Sequence, residues 1–184
     1  MSKKKKILLL SDDLRMHSGI ATVSKDIVME TLNEYDWVQM GGAIKHPDEG
    51  KVFDMNEQIR KDTGVKDAYL KIYPTSGYGN PDLLRQIISI EKPDAILAGM
   101  GGQTALNIAS ALAKDGSLDE LGVELIGCDL ASIDEAEDRD LFKRVCEVCG
   151  NISYFSRACR TYRPFVLSLI HISEPTRPLY IAYA

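Results

Sequence analysis

The chain has 184 residues, enough for roughly one domain, and its 45% hydrophobic and 27% charged residues are the make-up of a folded globular protein. A net charge of -5 and a pI near 5.2 argue against a general nucleic-acid binder, which would carry a basic surface. The basic run at 3–6 reads as a solubilising terminus. The apolar run at 7–10 is far too short for a signal sequence or a membrane span, so a cytoplasmic protein with no membrane partner is the expectation.

In chain order, KKILLLS (5–11) reads as a first strand and ends in the polar pair Asp12-Asp13. The turn DDLRMHSG follows. Ser18-Gly19 then opens a helix in which Ile20, Val23, Ile27, Val28 and Leu32 fall near helical spacing. WVQMGGA (37–43) is a second strand. Residues 45–66 are polar and hold His46-Pro47 and Gly50, which predicts loop with at most a short helix. AYLKIYP (68–74) is a third strand, and Asn80-Pro81 starts the helix DLLRQIISIEK. DAILAGM (94–100) is a fourth strand. It runs into a glycine turn, with Thr104 as the expected cap of a helix beginning at Ala105 and ending at Gly116. VELIGC (123–128) is a fifth strand. Ser132, with Glu135 three residues on, has the spacing of a capping box for one continuous helix to residue 149.

Strands alternating with helices predict an α/β fold: a Rossmann-like parallel sheet with helices on both faces, because parallel strands need crossover helices of one hand. Ligands of such sheets sit at the carboxyl ends of the strands. Two turns lie there, 12–19 and 99–104. Neither contains a complete GxGxxG or GxxxxGK[ST]. Each either touches a ligand or uses its glycines to let helix and strand pack closely, and the spacing leaves both readings open. Cys146 and Cys149 have metal-ligand spacing, but a structural zinc site needs four ligands and no second close Cys/His pair is visible. No metal site is expected.

The second half, through EKPDAIL, MGGQTALN, GVELIGC and IDEAEDRDLFK, resembles the carbamoyl phosphate synthase large chain over about residues 91–162. The resemblance implies the end of the pre-ATP-grasp domain and the start of the ATP-grasp domain. In the complete enzyme it implies carbamoyl phosphate formation from bicarbonate, ATP and ammonia derived from glutamine, with Mg²⁺ as a helper and a glutaminase small chain as partner. It places Arg139, in AEDR, against ATP, and it makes the MGGQT turn mainly structural. A guanidinium suits that role as a permanent fork of donors for phosphate oxygens. No catalytic residue is named by the resemblance, and the chain alone is expected to be inactive and to bind neither ATP nor Mg²⁺ tightly.

The first half departs from that family's GxGPxxIGQ opening. SDDLRMHSGIATVSKDIV, YDWVQMGGAIKHPDEGKVFD and KIYPTSGYGNPDLLRQIISIEKPDAIL together resemble the N-terminal domain of a two-Rossmann-domain glycosyltransferase over about 5–97. That resemblance implies a turn at His17, Ser18 and Gly19 facing a sugar nucleotide or its acceptor. LSLIHISEPTR (167–177) resembles the translation of a transposase-end sequencing adapter. The expected organisation is therefore a glycosyltransferase-type segment at 1–97, a synthase segment at 98–150, and a disordered or irregular C-terminal tail at 151–184. The last reading open is an isolated chimeric Rossmann-like module without independent function.

Overall fold

The structure, a computed structural model, describes residues 4–77 and 81–148. The tail at 151–184, with its adapter-like stretch and Cys159, lies outside the described residues, as does Cys149. The chain divides into two units between Ile133 and Asp134.

The first unit holds a six-stranded sheet. In chain order its elements are β1 (Lys5–Asp12), α1 (Gly19–Thr31), β2 (Tyr35–Ala43), β3 (Phe53–Asp54), α2 (Asn56–Thr63), β4 (Leu70–Ser76), α3 (Pro81–Glu91), β5 (Ala95–Leu97), α4 (Gly102–Lys114), α5 (Ser117–Leu121) and β6 (Glu124–Ile126). The sheet order is β3-β4-β2-β1-β5-β6. All pairs are parallel except β3 with β4, where Phe53 faces Ile72. β1 lies between β2 and β5, with Leu8 opposite Val38 on one side and Ile96 on the other.

Side chains of a strand alternate between faces, and β1 sends buried residues to both. Leu8 and Leu10, with Val38, Met40 and Ile96, pack beneath Leu84, Ile87 and Ile88 of α3 and Ala105, Ile108 and Leu112 of α4. Ile7 and Leu9, with Trp37, Leu70 and Ile72, pack beneath Val28 of α1, Leu32 and Ile59 of α2. The α/β fold with helices on both faces is as the alternation predicts, and a single sheet runs through residue 97.

Three local expectations are corrected. Residues 45–66, expected as loop with at most a short helix, do hold a short helix, the eight-residue α2, but also the two-residue strand β3, which was not expected. Glu57 near the start of α2 and Arg60 and Lys61 in its last turn suit the helix dipole. Gly64 closes α2 at φ 74°, a left-handed conformation that glycine adopts without a Cβ clash. Helix α4 begins at Gly102 rather than Ala105 and has no side-chain cap; a 3₁₀ turn over Gly99–Gly101 leads into it, so Thr104 already lies in the first turn.

The third correction concerns residues 130–148, expected as one helix capped by Ser132. There are two, α6 (Leu130–Glu137) and α7 (Arg139–Val148). The Asp129 carboxylate accepts the Ser132 N–H at 2.7 Å, so Asp129 caps the first turn of α6. The Asp138 carboxylate accepts the N–H groups of Asp140 at 2.8 Å and Leu141 at 2.9 Å, which starts α7 afresh. Short acidic side chains offer the backbone these local bonds and so favour caps over helix interiors.

Candidate functional site

In open parallel sheets the crevice for ligands lies where neighbouring strands send their connections to opposite faces. Here that point is between β1 and β5. β1 leads into α1 on one face and β5 into α4 on the other. The turns at 12–19 and 99–104 therefore meet at the same edge of the sheet.

Ser18 caps α1 as its position predicts. Its Oγ accepts the Ala21 N–H at 2.9 Å and donates to Asp12 Oδ2 at 2.6 Å. Gly19 is the first residue of α1, and a Cβ there would meet nothing within 4 Å. His17 is exposed. The structure thus joins Ser18 to Asp12.

The glycines of the second turn do not serve close packing at 99 or 102, since a Cβ at either position would meet nothing within 4 Å. Gly102 is needed for its backbone, φ 63° and ψ -162°, a region that side-chain-bearing residues avoid. Gly127 does permit a close approach. A Cβ there would lie 2.9 Å from Leu97 Cδ1.

Around the first turn the structure assembles a polar network that the sequence reading passed over as a strand end and a loop. The Asp13 side chain is fully buried. It takes Arg15 Nη2 at 2.7 Å, Arg15 Nε at 3.0 Å, the Arg15 backbone N–H at 2.8 Å and His46 Nε2 at 3.0 Å. Burial pushes the Asp13 carboxyl up, but the bonds from Arg15, its charge and the bond from His46 outweigh that and hold it below the ordinary carboxylate range. The Arg15 guanidinium stands 3.9 Å from the centre of the Phe53 ring, a cation–π contact that β3 provides, and reaches Asp48 Oδ2 at 3.5 Å.

Gln39, fully buried on β2, ties the same turn down. Its Nε2 donates to Ser11 Oγ and to the Asp12 carbonyl, each at 2.7 Å, and its Oε1 accepts the Leu14 N–H at 3.2 Å. Gly41 leaves room for Asp13, because a Cβ there would lie 3.0 Å from both Asp13 Cα and Asp13 Cβ. The one signal in the sequence for this network was the Asp12-Asp13 pair at a strand's carboxyl end. Its distant partners, Gln39 and His46, lie 27 and 33 residues away, beyond any local pattern.

Arg139 is the first residue of α7, in the second unit; its side chain lies outside the described residues. Cys128 is a free, exposed thiol, and Cys146 stands in α7. Among the described residues, no group of three or more His, Cys, Asp or Glu is placed to hold a metal ion, and no helix is long and apolar enough to cross a membrane.

A second buried charge sits on the other face of the sheet. Glu91, at the end of α3, has a side chain 3% exposed. Its Oε1 accepts from Tyr73 Oη at 2.6 Å and Lys71 Nζ at 3.0 Å, and its Oε2 from Tyr69 Oη at 2.9 Å and Lys6 Nζ at 3.2 Å. Burial works against its ionisation. The four donors outweigh burial and bring its pKa down to about 2. This cluster is a clasp between α3 and the sheet.

Comparison with known proteins agrees with the synthase resemblance and extends it. The carbamoyl phosphate synthase preATP-grasp domain family matches residues 33–135, from the end of α1 through β6 and into α6. That match begins well inside the 5–97 stretch that resembles a glycosyltransferase. The arginine-specific large chain of carbamoyl phosphate synthase from the chloroplast of Arabidopsis thaliana is 60% identical over 70 residues, 38% of this chain and 6% of that one. The large chain from Methanothrix thermoacetophila is 54% identical over 70 residues, with the same shares covered. That from Kineococcus radiotolerans is 44% identical over 95 residues, 52% of this chain and 9% of its own length. The chain thus spans under a tenth of the length of these relatives. With a match over more than half of its residues, laid on the strands and helices of one sheet, the chain belongs to the carbamoyl phosphate synthase preATP-grasp domain family.

Proposed function

We propose that this chain is a scaffold segment of a carbamoyl phosphate synthase large chain, which in the complete enzyme leads into the ATP-binding body. The observation that carries the reading is the family match over residues 33–135, coincident with five of the six strands. The complete enzyme would form carbamoyl phosphate from bicarbonate, ATP and ammonia released by a glutaminase small chain. Arg139 would be a contact for ATP phosphates, joined there by groups further along the complete large chain. Mg²⁺ would accompany ATP as it does in phosphoryl transfer generally.

The 184-residue chain by itself is then a poor ATP binder. One exposed Arg–phosphate contact is worth about 1 kcal/mol or less, whereas even millimolar affinity needs about 4 kcal/mol. Calorimetry with ATP, with and without Mg²⁺, is expected to show no binding tighter than roughly millimolar, and R139A is expected to change nothing. Saturable micromolar binding abolished by R139A would overturn the scaffold reading.

A second reading is favoured by one observation: residues 4–32, which carry β1 and α1, fall outside the family match. Under it, residues 1–97 are a glycosyltransferase-type segment joined to a synthase segment near β5, with His17, Ser18 and Gly19 toward a sugar nucleotide, and residues 167–177 derive from a sequencing adapter. Saturation-transfer NMR with a panel of UDP-, GDP- and ADP-sugars tests the site, a signal lost in H17A supporting it. Independent DNA reads spanning codons 90–105 would support a natural junction, and a coverage break there a chimera.

A further inference from the structure

We propose that the outer face of α1 is a self-association surface, on which a second copy of this chain lays its own α1 antiparallel, about a two-fold axis at Val23. Helix α1 carries more apolar surface than the sheet uses. It buries Ala21, Ser24 and Val28 against the domain. Ile20, Val23 and Ile27 form a second row beside that face, at the three- and four-residue spacing of helix neighbours. Ile20 is 43% exposed and Val23 51%, while Ile27 is half-buried.

The charges of α1 point to the occupant. Its first turn has no acidic residue and its last turn no basic one. Asp26 and Glu30 are instead both exposed in its carboxyl half, where the helix dipole disfavours anions. They stand four residues apart, a like-charge spacing that also opposes the helix.

An antiparallel second copy turns these liabilities into contacts. With Val23 opposite its own image, Ile20 faces the second copy's Ile27. Glu30 then lies at the amino end of the second copy's α1, where backbone N–H groups and the dipole favour an anion. Gly19 leaves that end open, since a Cβ there would meet nothing within 4 Å. The contact is isologous, so both Glu30 contacts form together. A parallel arrangement would set Glu30 beside Glu30, and the same charges disfavour it.

The test is sedimentation equilibrium of the full chain at low ionic strength over about 10 to 500 µM. The average mass should rise from 20.4 kDa toward twice that value. V23E and V23K, changed at an exposed position outside the core, should each stay at the monomer mass. An equimolar mixture of the two should associate again, because position 23 faces itself across the axis. E30Q should weaken association about three- to tenfold. It should also raise the thermal midpoint of the dilute chain, because it removes an anion from the carboxyl end of its own helix. A wild-type chain that stays monomeric leaves this face to another protein and overturns the proposal. Association that survives in V23E, that the mixture fails to restore, or that E30Q leaves unchanged overturns it as well.

Discussion

At the scale of single residues, two positions show how much rests on exact surroundings. Glu91 is ionised inside the protein because four donors converge on its two oxygens. Its folded pKa, about 2, lies below the reference value of 4.5. The stabilisation is therefore complete above about pH 4.5 and is lost as pH falls toward 2, since the unfolded chain then binds the proton first. It amounts to roughly 3 kcal/mol. E91Q should destabilise the chain at pH 7 by about 2–4 kcal/mol, because Lys6 and Lys71 lose their counter-charge inside the clasp. Urea denaturation of both proteins at intervals from pH 6 to pH 2 should show the gap closing toward pH 2; a gap independent of pH would mean that the charge of Glu91 contributes nothing. Gly41 is constrained by a neighbour. A methyl group there must push the Asp13 backbone, at 3.0 Å, out of place. G41A should cost about 1–3 kcal/mol, measured as a drop in the thermal midpoint, whereas G19A, with open space at its Cβ, should leave β1 and its turn undisturbed.

At the scale of elements, termini are set by short polar side chains close in sequence. Ser18 caps α1, Asp129 caps α6 and Asp138 starts α7. S18A should lose about 1 kcal/mol, and it also removes a donor from Asp12. S18D restores a cap acceptor but sets a second carboxylate beside Asp12, so it should recover less stability than S18T. Equal recovery by the two, read from urea midpoints, would show that the Ser18–Asp12 bond carries no weight. The Ser18 cap was legible because it lies directly before an amphipathic run. The Asp129 cap was not, because Ser132 and Glu135 offered a rival pattern with the same spacing, and the backbone chose the cap one turn earlier. β3 was illegible for another reason. Two residues carry no periodicity, and they form a strand only because β4 offers an edge to pair with.

At the scale of the whole molecule, the sheet decides where the chain can be divided. Leu8, Leu10, Val38 and Ile96 are covered on one face by α4, whose residues all come after 97. A chain ending at residue 97 would keep α3 on that face but leave bare the part that Ala105, Ile108 and Leu112 of α4 cover, and burial of such surface is the main force holding a small domain together. A chain ending at Ile133 keeps all six strands and both covering layers. Thermal melts should therefore show cooperative unfolding for residues 1–133 and none for residues 1–97. A cooperative melt of 1–97 would mean that this segment has a core of its own, as a self-sufficient glycosyltransferase-type domain would. Whatever the origin of its first 32 residues, β1 stands at the centre of the sheet, and the matched family segment packs against it on both sides.

The sequence by itself determined the alternation of strands and helices, the two buried faces, the placement of Ser18 as a cap, and the synthase family through the order of its motifs. These are local properties, carried by hydrophobic period, capping chemistry and short words of sequence. Only the tertiary structure decided the strand order that puts β1 between β2 and β5, and so makes the two turns neighbours. It alone paired Asp13 with His46 across 33 residues and Glu91 with Lys6 across 85. The physical reason is that a buried charge is stable only beside partners that complete its hydrogen bonds, and those partners arrive through the folding of strands that are distant in the chain.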